Sequence, residues 1–393
     1  MARKLETVLV QTGRAPIRHH GFVNPALKRG STVLHESVAA KREIGQRAAL
    51  EPIENYGTMG SETHFALEAA LAEIEGGTHA QVTSSGLSAI TVPLLAYLKA
   101  GDHLLVPDSV YGPTRTFCDS ILRRFGVDTT YYDPLSSGEA LDTLFRPTTR
   151  VLFTESPGSH TFEVQDIPAL AAVAHAHGAK VFLDNTWGVM HFSPFAHGVD
   201  VSIHALTKYV GGHSDIILGA VIVNSTEDWR WLRYGSLELG NYASPDDCWL
   251  ALRGLRTLHV RLKAVESAGL RVASWLAQQP EVARVLHPAL PSCPGHEVFK
   301  RDFTGASGLF GVVFQPHFSA ADVTRMIDAL QMFGIGASWG GFESLALPTT
   351  GTITRSADTG AYEGPPARFQ IGLEAVDDLI ADLKIGLQAL HLV

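Results

Sequence analysis

The sequence predicts an α/β protein with a mostly parallel sheet in a large domain and a smaller α/β domain behind it. From residue 61 to about 255, continuous runs of Val, Ile and Leu alternate with helical patterns. Such runs are typical of parallel strands that helices cover on both faces. The chain has 393 residues, of which 45% are hydrophobic, so it is long enough to build more than one core.

Three regions follow from this pattern. Residues 61–255 form the predicted large domain, and residues 256–393 form the smaller C-terminal domain. Residues 1–60 are polar and irregular, with Gly, Pro and paired charges. We interpret them as an arm without a core of its own, which packs on a neighbouring subunit.

Apolar side chains at helical spacing predict helices, and short apolar runs predict strands. The predicted helices are 63–75, 168–177, 260–278, 322–330 and 376–390. The predicted strands are 103–107, 151–155, 180–184, 199–203, 219–223, 310–314 and 369–372. Parallel sheets bind their ligands at the carboxyl ends of the strands, so polar residues at those ends are candidates for a functional site.

Composition narrows the classes of partner. The net charge is −9 and no cluster of Lys and Arg is visible, so we expect neither nucleic acid nor a membrane as a partner. The N-terminal sequence lacks the apolar core of a signal peptide. The three cysteines are widely spaced and odd in number, which favours a cytoplasmic protein. No HExxH motif or CxxC pair is present, so we expect no metal site.

One acid and one lysine carry the most chemical information. Asp184 ends the apolar run VFLD, and Lys208 ends the run VSIHALTK. An isolated Asp at such a place is commonly a cap, and an isolated Lys is commonly a surface charge. Together they also match what pyridoxal phosphate requires, which is an amine for a Schiff base and a carboxylate facing the ring nitrogen.

Further candidates surround that pair. Gly86 lies in TSSGLSA before a helical stretch, where backbone amides and the helix dipole favour a phosphate, although most such segments are ordinary caps. Thr207 adds a hydroxyl, and Tyr111 offers a face that can stack on a pyridine ring. Arg368 lies in an apolar strand and either pairs with an internal acid or grips a substrate carboxylate.

An ordered set of motifs spans nearly the whole chain. The motifs are NYG (55–57), THF (63–65), GDHLLVPDSVYGP (101–113), ESPGS (155–159), DNTW (184–187), TKYVGGHSD (207–215), RGLRTL (253–258), HPALP (287–291), KRDFTGASGLF (300–310), SWGGFESL (338–345) and IGLEAVDDLIADL (371–383). Together they resemble the Cys/Met-metabolism family of fold-type I pyridoxal phosphate enzymes. The resemblance implies a seven-stranded, mostly parallel sheet in the large domain.

The resemblance also implies roles for the candidate residues. The implied cofactor-binding residues are Lys208, Asp184, Tyr111, Gly86, Leu87, Thr207 and Tyr56. The implied catalytic residues are Lys208, Tyr111 and Tyr56, with Tyr56 reaching the active site of the neighbouring subunit. The implied site for the substrate carboxylate comprises Arg368, Ser338 and Trp339. These roles imply a homodimer as the catalytic unit and a tetramer built from two such dimers.

The implied activity is α,β-elimination of a small sulfur amino acid, L-cystathionine, because the closest likeness within the family is to bacterial enzymes with that reaction. Other lyase reactions on the same scaffold remain open, namely those on cysteine, S-alkylcysteine or methionine, as does a regulatory protein that binds the cofactor. Pro113 stands where family members that cleave methionine typically carry Cys, which disfavours γ-elimination. Thr58 and Met59 occupy the place of a phosphate-binding Arg of the family, so we expect weaker cofactor retention.

Overall fold

The computed structural model describes residues 3–17, 20–357 and 362–392. Within them the α-helices are α1 (Leu5–Gln11), α2 (Val38–Arg47), α3 (Glu62–Glu75), α4 (Gly86–Tyr97), α5 (Gly112–Phe117), α6 (Gly138–Asp142), α7 (Ile167–Ala176), α8 (Thr226–Glu238), α9 (Pro245–Leu255), α10 (Leu258–Leu276), α11 (His296–Asp302), α12 (Ala320–Asp328) and α13 (Val376–Ala389). The strands are β1 (His79–Thr83), β2 (His103–Pro107), β3 (Asp128–Tyr132), β4 (Thr149–Glu155), β5 (Lys180–Asp184), β6 (Val201–Ala205), β7 (Gly219–Val223), β8 (Val282–Leu286), β9 (Leu309–Phe314), β10 (Leu345–Pro348) and β11 (Pro366–Gln370).

A seven-stranded sheet forms the large domain, with the strand order β1-β7-β6-β5-β4-β2-β3. The pairs β6/β5, β5/β4, β4/β2 and β2/β3 are parallel, whereas β7 runs antiparallel to both β1 and β6. The predicted α/β class with a mostly parallel sheet is therefore confirmed. Val181, Phe182 and Leu183 of the central strand are fully buried, as strands covered on both faces require.

The antiparallel step from β6 to β7 has a consequence for the site. The two strands are neighbours with opposite directions, so the chain must turn back at the carboxyl end of β6. Residues 206–218 therefore stay at the sheet edge where β4 and β5 also end. Lys208 belongs to this connecting segment and lies three residues past Ala205, the last residue of β6. The strand predicted at 199–203 lies at Val201–Ala205. Lys208 does not end this strand but lies in the turn that follows it.

The second sheet is antiparallel and has the order β10-β11-β9-β8. Phe310, Val312 and Phe369 from its strands pack with α10, α12 and α13 in one buried cluster. The strand expected at 369–372 begins earlier, at Pro366. Arg368 is consequently the central residue of β11, where it pairs in register with Leu347 and Gly311.

The N-terminal region is more regular than its sequence indicated. Residues 5–11 and 38–47, expected to be irregular, form the helices α1 and α2. Leu9 of α1 is buried against Leu67 and Leu258 of the same chain, so this part contributes to the large core. The expectation of an irregular arm is wrong at these two helices. Val8 and Leu9 dock α1 onto the core, whereas α2 buries none of its residues and begins at Ser37, whose side chain accepts from the N–H of Ala40. Contact with a neighbouring subunit stays a prediction.

No helix among the described residues has both the length and the apolar character needed to cross a bilayer. Those same residues contain no group of three or more His, Cys, Asp or Glu side chains arranged to hold a metal ion.

Candidate active site

A cavity of about 320 Å³ opens where β4, β5 and β6 end and where α4 begins. Eight of the residues singled out from the sequence line it: Gly86, Leu87, Tyr111, Asp184, Thr207, Lys208, Trp339 and Arg368. The fold therefore brings together groups that are scattered over most of the sequence. The place agrees with the rule that open parallel sheets bind ligands beyond the carboxyl ends of their strands.

Lys208 is fixed by the turn that follows β6. Its backbone N–H donates to the carbonyl of Ala205 at 3.1 Å, and its carbonyl accepts from the N–H of Gly212 at 2.8 Å. Nζ donates to Oγ of Ser338 at 2.7 Å and lies 5.4 Å from the ring centroid of Trp339. The amine therefore points across the cavity towards the second domain.

The electrostatic surroundings make this amine easier to deprotonate. Burial, together with the nearby Arg368 guanidinium, lowers the pKa of Lys208 to about 8, although Asp184 acts in the opposite direction. An amine with a pKa near the working pH is present partly as the free base. In that form it can serve as a nucleophile and as a proton acceptor.

Asp184 is the last residue of β5, and its carboxylate is held by the segment that follows it. The backbone N–H and the hydroxyl of Thr186 both donate to Oδ1, at 3.0 and 2.5 Å. Burial raises the pKa of Asp184, and the two bonds from Thr186 and the charges of His204 and Lys208 oppose that rise. The net pKa remains raised, and these partners limit the cost of an ionised carboxylate within the cavity.

The N-terminus of α4 forms a cradle for an anion. Ser85 is the N-cap residue, and its side chain accepts from the N–H of Ser88. A Cβ atom on Gly86 would stand only 2.5 Å from Cβ of Ala205, so glycine allows the helix to start directly beside the end of β6. This twelve-residue helix directs its first amides and its positive dipole end into the cavity.

Thr207 beside this cradle already has hydrogen-bond partners. Its Oγ1 accepts from the N–H of Leu218 at 3.0 Å and lies 3.2 Å from the carbonyl oxygen of Leu218, to which it donates. The hydroxyl hydrogen would have to turn from that carbonyl to reach a bound phosphate. The cradle thus relies on backbone amides more than on side chains.

Tyr111 precedes α5 and presents an exposed ring to the cavity. Its backbone N–H donates to Oε2 of Glu155, the last residue of β4, at 2.9 Å. Burial first, and then the charge of Asp184, raises the pKa of Glu155 well above its ordinary value. Glu155 holds Tyr111 in place through this bond, and its raised pKa favours the neutral form, which limits repulsion beside Asp184.

The opposite wall comes from the C-terminal domain. Arg368 is largely buried, and its Nη2 donates to the carbonyl of Ser338 at 2.9 Å. Its Nε is buried and has no hydrogen-bond partner among the described residues. Ser338 takes a left-handed backbone conformation with φ of 76°, which turns its side chain to Lys208. This wall presents a cation with a free donor, suited to a carboxylate.

Sequence reasoning missed several residues at this site. Glu155 and Thr186 lie in the quoted ESPGS and DNTW motifs but received no role. His160 also lines the cavity; burial and then Arg368 lower its pKa to about 4, so its ring is neutral. A sequence does not show which side chains are in contact, so it did not distinguish these three residues from residues without a role in the site.

Tyr56 is not part of this cavity within one chain. It forms an isolated bridge with Thr32 and is half exposed. The next three residues, Gly57–Met59, make a single 3₁₀ turn. The carbonyl of Met59 accepts from Nη2 of Arg233 at 2.6 Å, so a buried arginine holds this turn from behind.

Comparison with known proteins agrees with this geometry. Residues 6–388 match the family described as Cys/Met metabolism PLP-dependent enzyme. This chain belongs to that family. Its members use pyridoxal phosphate (PLP), which is therefore the cofactor of this enzyme.

The relatives extend over the full chain. A putative cystathionine β-lyase of Rhizobium johnstonii is 48% identical, covering 98% of this chain and 96% of the relative. The cystathionine β-lyase MetC of Escherichia coli is 41% identical, covering 98% of both chains. The crystal structure of metB from Corynebacterium glutamicum superposes with a TM-score of 0.91 at 27% identity and covers 99% of both chains.

The cavity fits the cofactor of this family. It supplies one amine of lowered pKa, one stabilised carboxylate and one helix N-terminus for a phosphate, at Lys208, Asp184 and Gly86 respectively. Residues 56–60 contribute no cation, in keeping with Thr58 and Met59 in the sequence. The two cations that line the cavity are Lys208 and Arg368.

Proposed function

We propose that this protein is a cystathionine β-lyase, which converts L-cystathionine and water into L-homocysteine, pyruvate and ammonia. The full-length relatives carry this name. The observation that carries the proposal is a single cavity in which Lys208, Asp184 and Arg368 meet. A reaction of this kind places the enzyme in methionine synthesis, where homocysteine is the direct precursor.

Six residues would hold the cofactor. Asp184 would face the ring nitrogen, Tyr111 would stack on the ring, and Lys208 would provide the amine that binds it covalently. The backbone amides of Gly86 and Leu87 would receive the phosphate at the start of α4, with the hydroxyl of Thr207 beside them. The support for these roles is that each group opens onto the same cavity.

The reaction needs a group that accepts electrons and a base that moves protons. When bound, pyridoxal phosphate draws electrons from Cα of the substrate, so that Cα can lose its proton and the Cβ–S bond can then break. The substrate amine would replace the Lys208 amine on the cofactor, and the freed Lys208 would then take the Cα proton, a role suited to an amine whose pKa is about 8. The same side chain returns a proton to the departing sulfur. Asp184, held by Thr186, would favour the protonated form of the ring nitrogen opposite it.

Substrate binding falls to the second wall. Arg368 binds the α-carboxylate of the substrate, and its Nε, which has no hydrogen-bond partner among the described residues, gains one from the substrate. The Ser338 hydroxyl accepts from Nζ of Lys208 at 2.7 Å; once that amine is joined to the cofactor, the hydroxyl is available to support the carboxylate. Trp339 forms the apolar side of this pocket.

The catalytic unit in this proposal is a homodimer, and two dimers form a tetramer. Residues of the N-terminal region leave apolar side chains in solvent, with exposed fractions of 96% for Ile17 and 91% for Leu34. Such side chains are typical of surfaces that another chain covers. Tyr56 would then reach the neighbouring cavity, where it takes a proton from the substrate ammonium.

We also propose a cytoplasmic location. Cys118, Cys248 and Cys293 are all free and buried, which agrees with a reducing compartment. Their sulfur atoms lie inside the core, so they serve as apolar packing.

The test is product identification after the PLP-loaded protein is incubated with L-cystathionine. The proposal predicts pyruvate and L-homocysteine in equal amounts. Cysteine and 2-oxobutyrate would instead mean γ-elimination, and Pro113 would then not discriminate as inferred.

Parallel incubations with L-cysteine, an S-alkylcysteine and L-methionine complete the experiment. Cystathionine should give the highest kcat/KM of the four substrates. No product from any of them, with the cofactor still bound, would contradict the lyase assignment and favour a regulatory protein that retains the cofactor.

A further inference from the structure

Glu75 is a buried carboxylate beneath the active-site cavity. It is the last residue of α3, and only 3% of its side chain is exposed. The C-terminal end of a helix carries partial negative charge, which disfavours a carboxylate there. Burial disfavours it further. A group held against both effects must have strong compensating partners.

Three side chains provide that compensation. Oε2 of Glu75 accepts from Oγ of Ser202 at 2.7 Å and from Nδ2 of Asn185 at 3.2 Å. It also lies 2.9 Å from Nε2 of His204, whose side chain is equally buried. Of these partners only His204 can carry a positive charge.

The two groups hold each other in their charged forms. Burial lowers the pKa of His204, but the Glu75 carboxylate more than offsets this, and the pKa of His204 is raised. Burial likewise tends to raise the pKa of Glu75, and the His204 charge and the hydrogen bonds lower it overall. Glu75 and His204 therefore form a buried pair in which each group favours the charged form of the other.

The pair connects to Asp184 by two routes. Asn185, which binds Glu75, is the residue directly after Asp184. The residue after His204 is Ala205, whose N–H donates to Oγ1 of Thr186 at 2.9 Å. That hydroxyl in turn donates to Oδ1 of Asp184 at 2.5 Å.

Each route has its own effect on the carboxylate. The link through Asn185 fixes the end of β5, and the link through Thr186 fixes the direction of the Asp184 side chain. The charge of His204 adds an attraction for ionised Asp184. The ion pair thus acts on the position and on the charge of the same carboxylate.

We propose that Glu75 and His204 are positioning residues, a buried ion pair that orients Asp184 and keeps it ionised opposite the cofactor ring. The inference rests on the proposed role of Asp184. A purely structural role would only join α3 to the ends of β5 and β6. Buried ion pairs often contribute little to stability. Stability alone therefore does not account for this pair, whereas a role in the site does.

The test compares Glu75→Gln and His204→Gln with the parent protein in two measurements. The first is the rate at which the loaded protein loses PLP during dialysis, and the second is the kcat and KM for L-cystathionine. Both variants should lose the cofactor faster. Their kcat should fall about 10- to 100-fold, the range that one charge-assisted bond gives, while KM changes little.

Two additional variants make the comparison sharp. The double variant should be no worse than either single variant, because the two residues act as one unit. His103→Gln is the matched control, since His103 is also a buried histidine of the same sheet. Its ring nitrogens lie 2.7 Å from Oγ1 of Thr149 and 2.9 Å from Oγ1 of Thr130, and among the described residues no carboxylate is hydrogen-bonded to it. It should keep the parental kcat and cofactor loss, whatever its thermal stability.

Parental kcat and dialysis rates in folded His204→Gln protein would overturn the proposal and leave a structural cross-link. Cofactor loss needs no substrate, so this readout is independent of the lyase assignment. If Asp184→Asn also retains PLP like the parent, the role of Asp184 itself is wrong. If Glu75→Gln does not fold, His204→Gln alone decides the matter.

Discussion

The two walls of the cavity differ in how well the protein satisfies their charged groups. On the wall formed by the seven-stranded sheet, Asp184 accepts two hydrogen bonds from Thr186 and faces His204. On the wall formed by the four-stranded sheet, Arg368 donates to backbone carbonyls and keeps a buried Nε without a partner among the described residues. One wall is complete without substrate, and the other is not.

The difference indicates which ligand each wall receives. A resident cofactor stays bound through many turnovers, so the groups that orient it gain from rigid support. A substrate must enter and leave, so its anchor keeps an open donor that only the substrate completes. We therefore expect changes to the first wall to affect cofactor retention and kcat, and changes to the second wall to affect KM.

Replacing Lys208 should have the largest effect. Lys208→Ala removes both the covalent attachment of PLP and the base, and general-base loss alone typically lowers rates by about 10²- to 10⁴-fold. We expect turnover of L-cystathionine to fall at least that far, together with loss of the visible absorption of bound cofactor. Steady-state kinetics and an absorption spectrum measure both.

The matched control is Lys300→Ala, which removes an exposed lysine that pairs with Glu297 on the surface. It should leave kinetics and spectrum unchanged. Parental β-elimination by Lys208→Ala would refute the assignment of the base.

Replacing Arg368 should separate the two walls. Arg368→Met keeps much of the side-chain volume but removes the cation, and a hydrogen bond to a charged group is worth about 1.5–3 kcal/mol. We expect KM for L-cystathionine to rise about 10- to 100-fold, with dialysis of PLP at the parental rate. If the variant instead lost PLP readily and kept its KM, the assignment of the walls would be reversed.

The pH dependence of cofactor uptake tests whether Arg368 on one wall lowers the pKa of Lys208 on the other. Only the free amine of Lys208 can attack the cofactor, and its pKa is about 8. The uptake rate of the apo-protein should rise with pH through a midpoint of about 8 and level off only when Lys208 is fully deprotonated. Because Arg368 lowers this pKa, Arg368→Met should move the midpoint upwards. Stopped-flow absorption measures the profile, and a midpoint that stays in place would contradict the coupling.

Introducing a cation in the segment that lacks the family's phosphate-binding Arg should have the smallest effect. Thr58→Arg adds a charge to a segment that contributes none, and a new charged bond gives at most about 1.5–3 kcal/mol. We expect slower loss of PLP during dialysis and little change in KM. Thr58→Lys serves as the control for charge without the planar donor group. Unaltered retention in both variants would mean that another group already neutralises the phosphate.

The sequence predicted those parts of the fold that depend on local pattern. The strands His103–Pro107, Lys180–Asp184 and Gly219–Val223 have the predicted bounds, because their apolar runs end at Pro, Asp and polar residues. The strand DTTYY at Asp128–Tyr132 was missed because it lies at a sheet edge, where polar residues are tolerated. The strand HAQVT at His79–Thr83 was missed because its pattern is short and mixed.

The candidate site was predictable as a set of residues but not as a network. Motifs suggested Lys208, Asp184 and Arg368, and the fold brings all three to one cavity. Glu75 and His204 could not be paired from the sequence, since only the packing of α3 on β1 and β7 brings its last residue to His204 of β6. The Nε of Arg368, which lacks a partner among the described residues, is likewise a property of packing. It depends on which acceptors the fold places within reach of that atom.

A crystal structure of the PLP-loaded protein would show directly which wall of the cavity holds the cofactor. We expect cofactor density continuous with Nζ of Lys208, the ring nitrogen at Asp184 and the phosphate at the amides of Gly86 and Leu87, with Arg368 still open to substrate. A phosphate bound by Arg368, with Asp184 left without a cofactor partner, would contradict it.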